Sequence, residues 1–496
     1  MVMNSRVLLQ IAPLILMALR CLAAEECSND EPSFVQLGRK LLSKRGERGR
    51  CLGNDVRCSG SSRSECLEMS QEGADCKFLP LPPHLNLRVN GPDSKYVIMT
   101  DAGSSKTLVN IFSYDSSGIL VQESPEPSIK ISALTSYLGK PEALKKDFTS
   151  LIINSTDAIC ALQPDRSTCH TVLHATPFYM FATAGMRGLS PEDQDSIYKV
   201  CLSVLRDRSM SPYQVEDENV RTMAGEEEAS FTLLTVNYEN ADCDYNMKCP
   251  GVGITGQLEM GGESTQVSFQ PVSEIDVLGN SFIINNQSDR LGLYSISYME
   301  YGQNGASALA QEMVAEQAPD SDTVDYPCWL KGFKNISMVF AGTAREKNIT
   351  FVGTGEFVAC KELTKAILHL DYMCPLPPCS IEGEYMPNPK PKGQKFLGLS
   401  GFRFAFYNYG MPLSGSGSTP ADLDAENQKF CALTYDEMKE DPKYDPKYVY
   451  NQCFLGNYVY NVLTEALHFT NDSEQVSYDG DASWPLGAVL FEVMFV

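Results

Sequence analysis

The chain has 496 residues, enough for two or three domains with cores of their own. It carries 63 acidic against 40 basic residues, a formal net charge of −23. That balance argues against a nucleic-acid backbone as partner, because phosphate contacts of that kind need Lys and Arg. An anionic substrate must instead be drawn in by local backbone dipoles and a cation.

At the start of the chain, Arg6 supplies a small basic region and Val7–Leu19 a short apolar core. Cys21-Leu22-Ala23-Ala24 offers small residues for cleavage, so residues 1–24 read as a secretory signal peptide. The other reading is an uncleaved anchor, for which the run is short. No other stretch approaches the ~20 apolar residues of a membrane span, so the expected mature chain has none and lies outside the cell or in the secretory lumen. Of 17 cysteines, Cys21 leaves with the leader, and the remaining 16 are an even set that implies disulfides. Sequons at Asn154, Asn286, Asn335, Asn348 and Asn471 are candidate glycosylation acceptors.

Residues 25–89 hold Cys27, Cys51, Cys58, Cys66 and Cys76 with much Ser and Gly, which reads as a disulfide-stapled module or prosegment. Lys44–Arg50 is either a convertase site or a solvated basic loop, and Pro80, Pro82 and Pro83 form a linker. Then comes a strand, Tyr96–Thr100, running into Asp101. The phrase Asp101-Ala102-Gly103-Ser104-Ser105-Lys106-Thr107 sits at a hairpin tip, and Asp115–Gly118 is a second turn. A helix is expected from about Pro141 to Ile153, a strand at Phe178–Ala182 and a helix at Pro191–Arg206 capped by Ser190. A second strand–turn–strand spans Ile254–Phe269, and helical patterns recur near Ala306–Ala315, Lys361–Leu370 and Tyr458–Phe469. Alternating strands and helices in two similar halves imply an α/β fold with two lobes.

The hairpin phrase occurs twice. Glu259-Met260-Gly261-Gly262-Glu263-Ser264-Thr265 repeats the order of carboxylate, glycine and small residues, then Thr and an apolar strand. Either copy alone makes an ordinary turn. Two copies in matching contexts fit a phosphate site, where backbone amides approach oxygen with no Cβ in the way and the acid holds a hydrated metal.

Glu226-Glu227-Glu228 is a solvated acidic face or, lying between the two phrases, holds a general base for an attacking water. Thr183-Ala184-Gly185-Met186-Arg187 follows an apolar strand and is either a plain strand end or a contact for a phosphate oxygen, with Arg187 as a permanently charged donor. His84, His170, His174, His369 and His468 complete no zinc signature and read as structural. No Walker loop and no Gly-x-Ser-x-Gly elbow is present. Phe402–Tyr409 reads as core or strand, with one ring free to stack on a nucleobase. Cys243 and Cys249 close a short loop, either structural or labile.

In order, Asp101–Thr107, Ala182–Arg187, Gly225–Tyr238 and Gly256–Phe269 resemble the first four conserved regions of the ecto-nucleoside triphosphate diphosphohydrolases, or apyrases. Leu293–Tyr298 with Tyr301-Gly302, Pro327-Cys328, Ser400-Gly401-Phe402 and Trp484–Ala488 look like further landmarks of that family. The resemblance runs from about residue 95 to the C-terminus. It implies an actin-like architecture of two ribonuclease-H-like lobes around an interlobe cleft. Lobe I would hold residues 90–224 plus 468–496, and lobe II 225–467.

The resemblance also implies roles. Ser104, Ser105, Lys106, Thr183, Ala184, Arg187, Gly261 and Gly262 would bind phosphates. Asp101 and Glu259 would hold Ca²⁺ or Mg²⁺ through water, Glu228 would be the base, and Ser264 and Gln266 would position the water. Phe404 and Tyr407 are the candidates for base stacking. The chain departs from the pattern at Glu259, where Asp is usual, at Ala229 for Gly, at Leu233 for Trp and at Glu263 for a small residue. The expectation is a secreted apyrase acting on nucleoside tri- and diphosphates. The alternatives are another actin-like phosphotransferase or a non-catalytic nucleotide-binding or adhesion protein.

Overall fold

The computed structural model describes residues 49–52, 77–80, 96–114, 120–123, 125–239, 253–271, 281–286, 289–341, 345–387 and 394–494. The leader, most of the Cys-rich segment, the Asp115–Gly118 turn, His84, Cys243 and Cys249 lie outside them. Gly49–Leu52 and Lys77–Pro80 pair as an antiparallel ribbon, so Pro80 ends a strand rather than opening a linker.

The first large sheet grows from the hairpin of β1 (Tyr96–Ala102) and β2 (Lys106–Tyr114). On the far side of β2 lie β3 (Leu120–Glu123) and the short β4 (Lys130–Ser132). β5 (Phe178–Ala182) runs parallel to β1, and β6 (Val220–Thr222) parallel to β5. The crossovers are helical: α1 (Pro141–Ala161) and α2 (Arg166–Ala175) precede β5, and α3 (Ala184–Arg187) and α4 (Pro191–Arg206) follow it. α4 starts where expected, with the Ser190 hydroxyl accepting from the Asp193 amide and Pro191 in the first turn. Ile98, Ile111, Leu144, Phe148, Phe178 and Val204 build the core between this sheet and its helices.

Helix α5 (Gly225–Glu239) leads to the second large sheet. It consists of β7 (Gly256–Met260), β8 (Ser264–Phe269), β9 (Ser281–Asn286), β10 (Asp289–Met299), β14 (Phe396–Ser400) and β15 (Val476–Ser477), in the order β9-β10-β8-β7-β14-β15. A small sheet of β11 (Thr323–Tyr326), β12 (Lys334–Ala341) and β13 (Arg345–Gly353) lies between β10 and β14 in the chain, ordered β11-β13-β12. α6 (Gln303–Glu316), α7 (Phe357–Ala366), α8 (Gly401–Tyr407), α9 (Pro420–Cys431) and α10 (Gln452–Asn461) cover this lobe, and α11 (Trp484–Met494) ends the chain.

Apart from the added β9, the two large sheets share one plan. An antiparallel triplet, β3-β2-β1 or β10-β8-β7, is followed by two parallel strands, β5-β6 or β14-β15. This is the duplicated, two-lobe actin-like architecture expected from the sequence. Three local expectations change. Phe402–Tyr407 is helical, not a strand. The pattern read at Tyr458–Phe469 belongs to the end of α10 and a wider turn at Val462–Ala466. Residue 468 is too early a boundary, because β15 still completes the second sheet and only α11 packs against the first.

Among the described cysteines, Cys160–Cys169, Cys328–Cys360, Cys374–Cys379 and Cys431–Cys453 are disulfides. Cys201 departs from the even-number expectation. It is a free thiol on the inner face of α4, and burial pushes its pKa up to about 12, so it serves as a small apolar side chain.

The lobes meet where α5 crosses α11. Thr235 Oγ1 donates to the Ser483 carbonyl at 2.8 Å and accepts from the Gly487 amide at 2.8 Å. Phe181 of β5 stacks on Trp484, with centroids 6.2 Å apart and planes 16° from parallel. Gly487 lies directly on the Phe231 carbonyl of α5, and any Cβ there would overlap it. A backbone carbonyl inside a helix cannot rotate away. Gly487→Ala is therefore expected to cost about 3 kcal/mol and lower the thermal midpoint by several degrees. Gly188→Ala, where the nearest atom is 3.8 Å away, should cost under ~1 kcal/mol in the same melt.

Candidate active site

Asp101 is the penultimate residue of β1, and Glu259 the penultimate residue of β7. Each opens a hairpin turn, and the two turns face each other across the seam. Ser104 Oγ lies 2.8 Å from where a Cβ on Gly262 would sit, and Ser104 Cα 3.0 Å from the same position on Gly185. Three segments thus converge on Ser104 because two of them are glycine at the contact. The second turn is tied back into α6, since the amides of Gln303 and Asn304 donate to the carbonyls of Gly261 and Gly262 at 2.9 and 2.8 Å.

Glu228 stands in the first turn of α5 and is 8% exposed. Nη1 and Nη2 of Arg187 each donate to its Oε2 at 3.0 Å, and Nη2 also reaches Ser264 Oγ at 3.3 Å. Ser264 and Gln266 alternate along β8, so they share a face. Gln266 Nε2 donates to Ser264 Oγ at 2.6 Å and to Ser297 Oγ at 3.0 Å, with Glu228 Oε2 at 3.5 Å. Its Oε1 is buried without a hydrogen-bond partner. Ser297 lies directly opposite Gln266 on β10 and fills the space a side chain on Gly225 would need, so it fixes both the amide and the start of α5.

The electrostatics are those of three neighbouring acids of which only Glu228 is paired with a guanidinium. Burial pushes Glu228 up, and Arg187 pulls it back. Burial, then the Glu228 charge, raises Asp101 to about 7, against the pull of Lys106 and a Trp484 hydrogen bond. Burial, then Glu228, raises Glu259 to about 8, with a hydrogen bond from Ser400 Oγ at 2.9 Å opposing. Among the described residues neither Asp101 nor Glu259 makes a salt bridge, and Asp101 Oδ1 is a buried, partnerless oxygen. The partnerless Asp101 Oδ1 and the Glu259 carboxylate are hard oxygen donors of the kind a divalent cation takes, although no group of three His, Cys, Asp or Glu ligands gathers among the described residues.

The fold thus gathers Asp101, Ser104, Arg187, Glu228, Glu259, Gly261, Gly262, Ser264 and Gln266 at the seam, with Thr183 and Ala184 at the head of α3. Ser105 and Lys106 are exposed on the first turn. Arg187, expected to bind phosphate, is committed to Glu228 and Ser264. The Glu226–Glu228 run divides, for Glu227 pairs with Arg221 at 2.9 Å and caps the Ala224 amide while Glu228 turns inward. Phe404 and Tyr407 are 44% and 58% exposed on α8, the helix that starts at Ser400 beside Glu259. His170 and His174 lie on the surface with their Nε2 atoms 3.1 Å apart, away from this cluster. Ser297, Ser400 and Trp484 carry no role in the sequence reading, although each falls in a phrase that resembles the apyrases.

Residues 88–495 match the GDA1/CD39 (nucleoside phosphatase) family. The chain belongs to that family. It is 27% identical over 429 residues to rat ectonucleoside triphosphate diphosphohydrolase 1, covering 80% of each chain. It is also 26% identical over 423 residues to the probable apyrase 3 of Arabidopsis thaliana, covering 81% of this chain and 83% of that one. Its fold resembles that of the nucleoside triphosphate hydrolases of Neospora caninum, with a TM-score of 0.60 at 14% identity over 81% of this chain and 92% of that one.

Two outcomes follow for this family member. Ser297→Ala should lower kcat for nucleotide hydrolysis about tenfold, the worth of one buried hydrogen bond, with KM unchanged. In a Gln266→Ala background the same change should have no further effect on kcat, which steady-state kinetics on the four proteins will read. The second outcome concerns pH. Asp101 and Glu259 hold protons more tightly folded, at about 7 and 8, than at their ordinary 3.8 and 4.5. Their contribution to stability is therefore lost as pH rises from about 4 to 8. In EDTA the chain should melt at a lower temperature at pH 8 than at pH 5.5, and Asp101→Asn, with nothing to titrate there, should show a shallower fall.

Proposed function

We propose that the chain is a secreted apyrase, hydrolysing nucleoside tri- and diphosphates to monophosphate and phosphate by attack of a Glu228-activated water. The observation that carries this reading is the contact of Glu228, Ser264 and Gln266 at the point where the two glycine-bearing turns meet.

Glu228 takes the proton from the water, which is held by Ser264 Oγ and by the partnerless Gln266 Oε1. Arg187 keeps the buried carboxylate charged until that transfer, and afterwards its freed donors face the phosphate charge. The turns at Gly103–Ser105 and Gly261–Glu263 supply amides to the phosphates, joined by Thr183, Ala184 and Lys106. Asp101 and Glu259 would hold Ca²⁺ or Mg²⁺, which when bound neutralises phosphate charge. Phe404 and Tyr407 offer exposed rings to the base. Water is the acceptor, so no phosphoenzyme is formed. The four disulfides among the described residues and the exposed sequons at Asn154, Asn335, Asn348 and Asn471 support passage through an oxidising secretory compartment. No described helix is long and apolar enough to cross a membrane.

Phosphate release should be seen with ATP and ADP, not with AMP, and should stop in EDTA. Glu228→Gln should lower kcat by about 10²- to 10⁴-fold. Full activity in that variant would remove Glu228 from the role, and inertness of the unaltered chain toward both nucleotides would point to a binding protein.

A further inference from the structure

The small sheet β11-β13-β12 contributes no residue to the cleft. Its inner face is core, with Val339, Ile349 and Phe351 at most 3% exposed. Its outer face is anomalous, for Ile336 and Met338 on β12 are each 64% exposed. β12 is also an edge, pairing only with β13 among the described strands. Such a strand, open along one side and apolar on its face, invites pairing with another chain.

The register shows what lies beside these two side chains. Met338 is directly opposite Asn348, and Ile336 directly opposite Thr350. Residues so paired share a face, with Cβ atoms about 4.5–5.5 Å apart. Asn348-Ile349-Thr350 is a sequon. Strand alternation sends Ile349 into the core and leaves exposed Asn348 and half-buried Thr350 on the outer face. A second sequon, Asn335-Ile336-Ser337, lies on β12 itself, and Asn335 is exposed.

We propose that Asn348 carries an N-linked glycan whose first sugars cover Ile336 and Met338 and screen the open edge of β12. This rests on the secretory reading above. The oligosaccharide comes from a lipid diphosphate donor. The Asn348 amide nitrogen bonds to the anomeric carbon of the first sugar, the bond from that carbon to the diphosphate oxygen breaks, the amide loses one proton and the lipid diphosphate leaves. A bulky, hydroxyl-rich chain rooted beside the apolar pair presents C–H faces to it and hydroxyls to water.

The full chain secreted from eukaryotic cells tests this by glycopeptide mass spectrometry and hydrophobic-interaction chromatography. Asn348 should be occupied. Asn348→Gln at an exposed position and Thr350→Ala at a half-buried one should each elute later and secrete several-fold less well. Adding Ile336→Thr and Met338→Thr to Asn348→Gln should restore elution and yield. A bare Asn348 alongside glycans on Asn154 or Asn471 would overturn the inference and leave the secretory reading standing, as would unchanged elution of both variants. If no sequon is occupied, the secretory reading fails and this inference with it.

Discussion

Three carboxylates and one guanidinium, buried or half-buried, meet at the junction of two lobes, and the packing of that junction follows from them. Taking a charge out of water is costly unless it is paired. Arg187 answers for Glu228, while Ser400 and Trp484 each give one hydrogen bond to the other two acids. These partners, Arg187, Ser400 and Trp484, belong to both lobes and to the C-terminal helix. The cluster therefore exists only when both lobes and α11 are docked. This explains why the α5–α11 crossing is so close, with Gly487 against the Phe231 carbonyl, and why Phe181, two residues before Thr183, stacks on Trp484.

The duplication is a duplication of scaffold, used for unlike chemistry. β1 and β7 deliver an acid to equivalent places, and β5 and β14 end beside them. Past those ends the halves diverge. β5 leads through Thr183 into α3 and its arginine, whereas β14 leads through Ser400 into α8 with exposed Phe404 and Tyr407. In the proposed reaction both turns thus face phosphate, while the second lobe also adds the water-positioning strand and the rings for the base.

Much of this was legible in the sequence because it is written locally. Hairpin phrases, the Ser190 cap and the five-residue strand at Phe178–Ala182 depend on neighbours within a few positions, and the structure has them where the residues predict them. What was not legible depends on cross-strand register and on which partner a charge selects. Ser297 matters because it faces Gln266 across two strands 31 residues apart, and nothing in its own neighbourhood announces that. Arg187 reads as a free phosphate donor until Glu228, 41 residues later, is folded against it. The aromatic run at Phe402–Tyr407 carries strand propensity, yet α8 forms because its inner face, Phe402, Ala405 and Phe406, packs into the second lobe's core at helical spacing.

The same accounting bears on how an anion reaches a chain with net charge −23. Beyond about 8 Å at physiological salt the surface charges are screened, so the repulsion acts mainly at the cleft mouth. There the cationic inventory is thin. Arg187 is spent on Glu228, and Lys106 is exposed on the first turn. In the proposed reaction Asp101 and Glu259 add negative charge beside the phosphates, unless they are protonated or neutralised. A bare polyphosphate would meet this cluster as like charge, whereas a polyphosphate already carrying a divalent cation brings the positive charge that both acids lack. In the proposed reaction the species the cleft would accept is therefore the cation–nucleotide complex, whose cation takes the place of the protons that burial holds on the two acids.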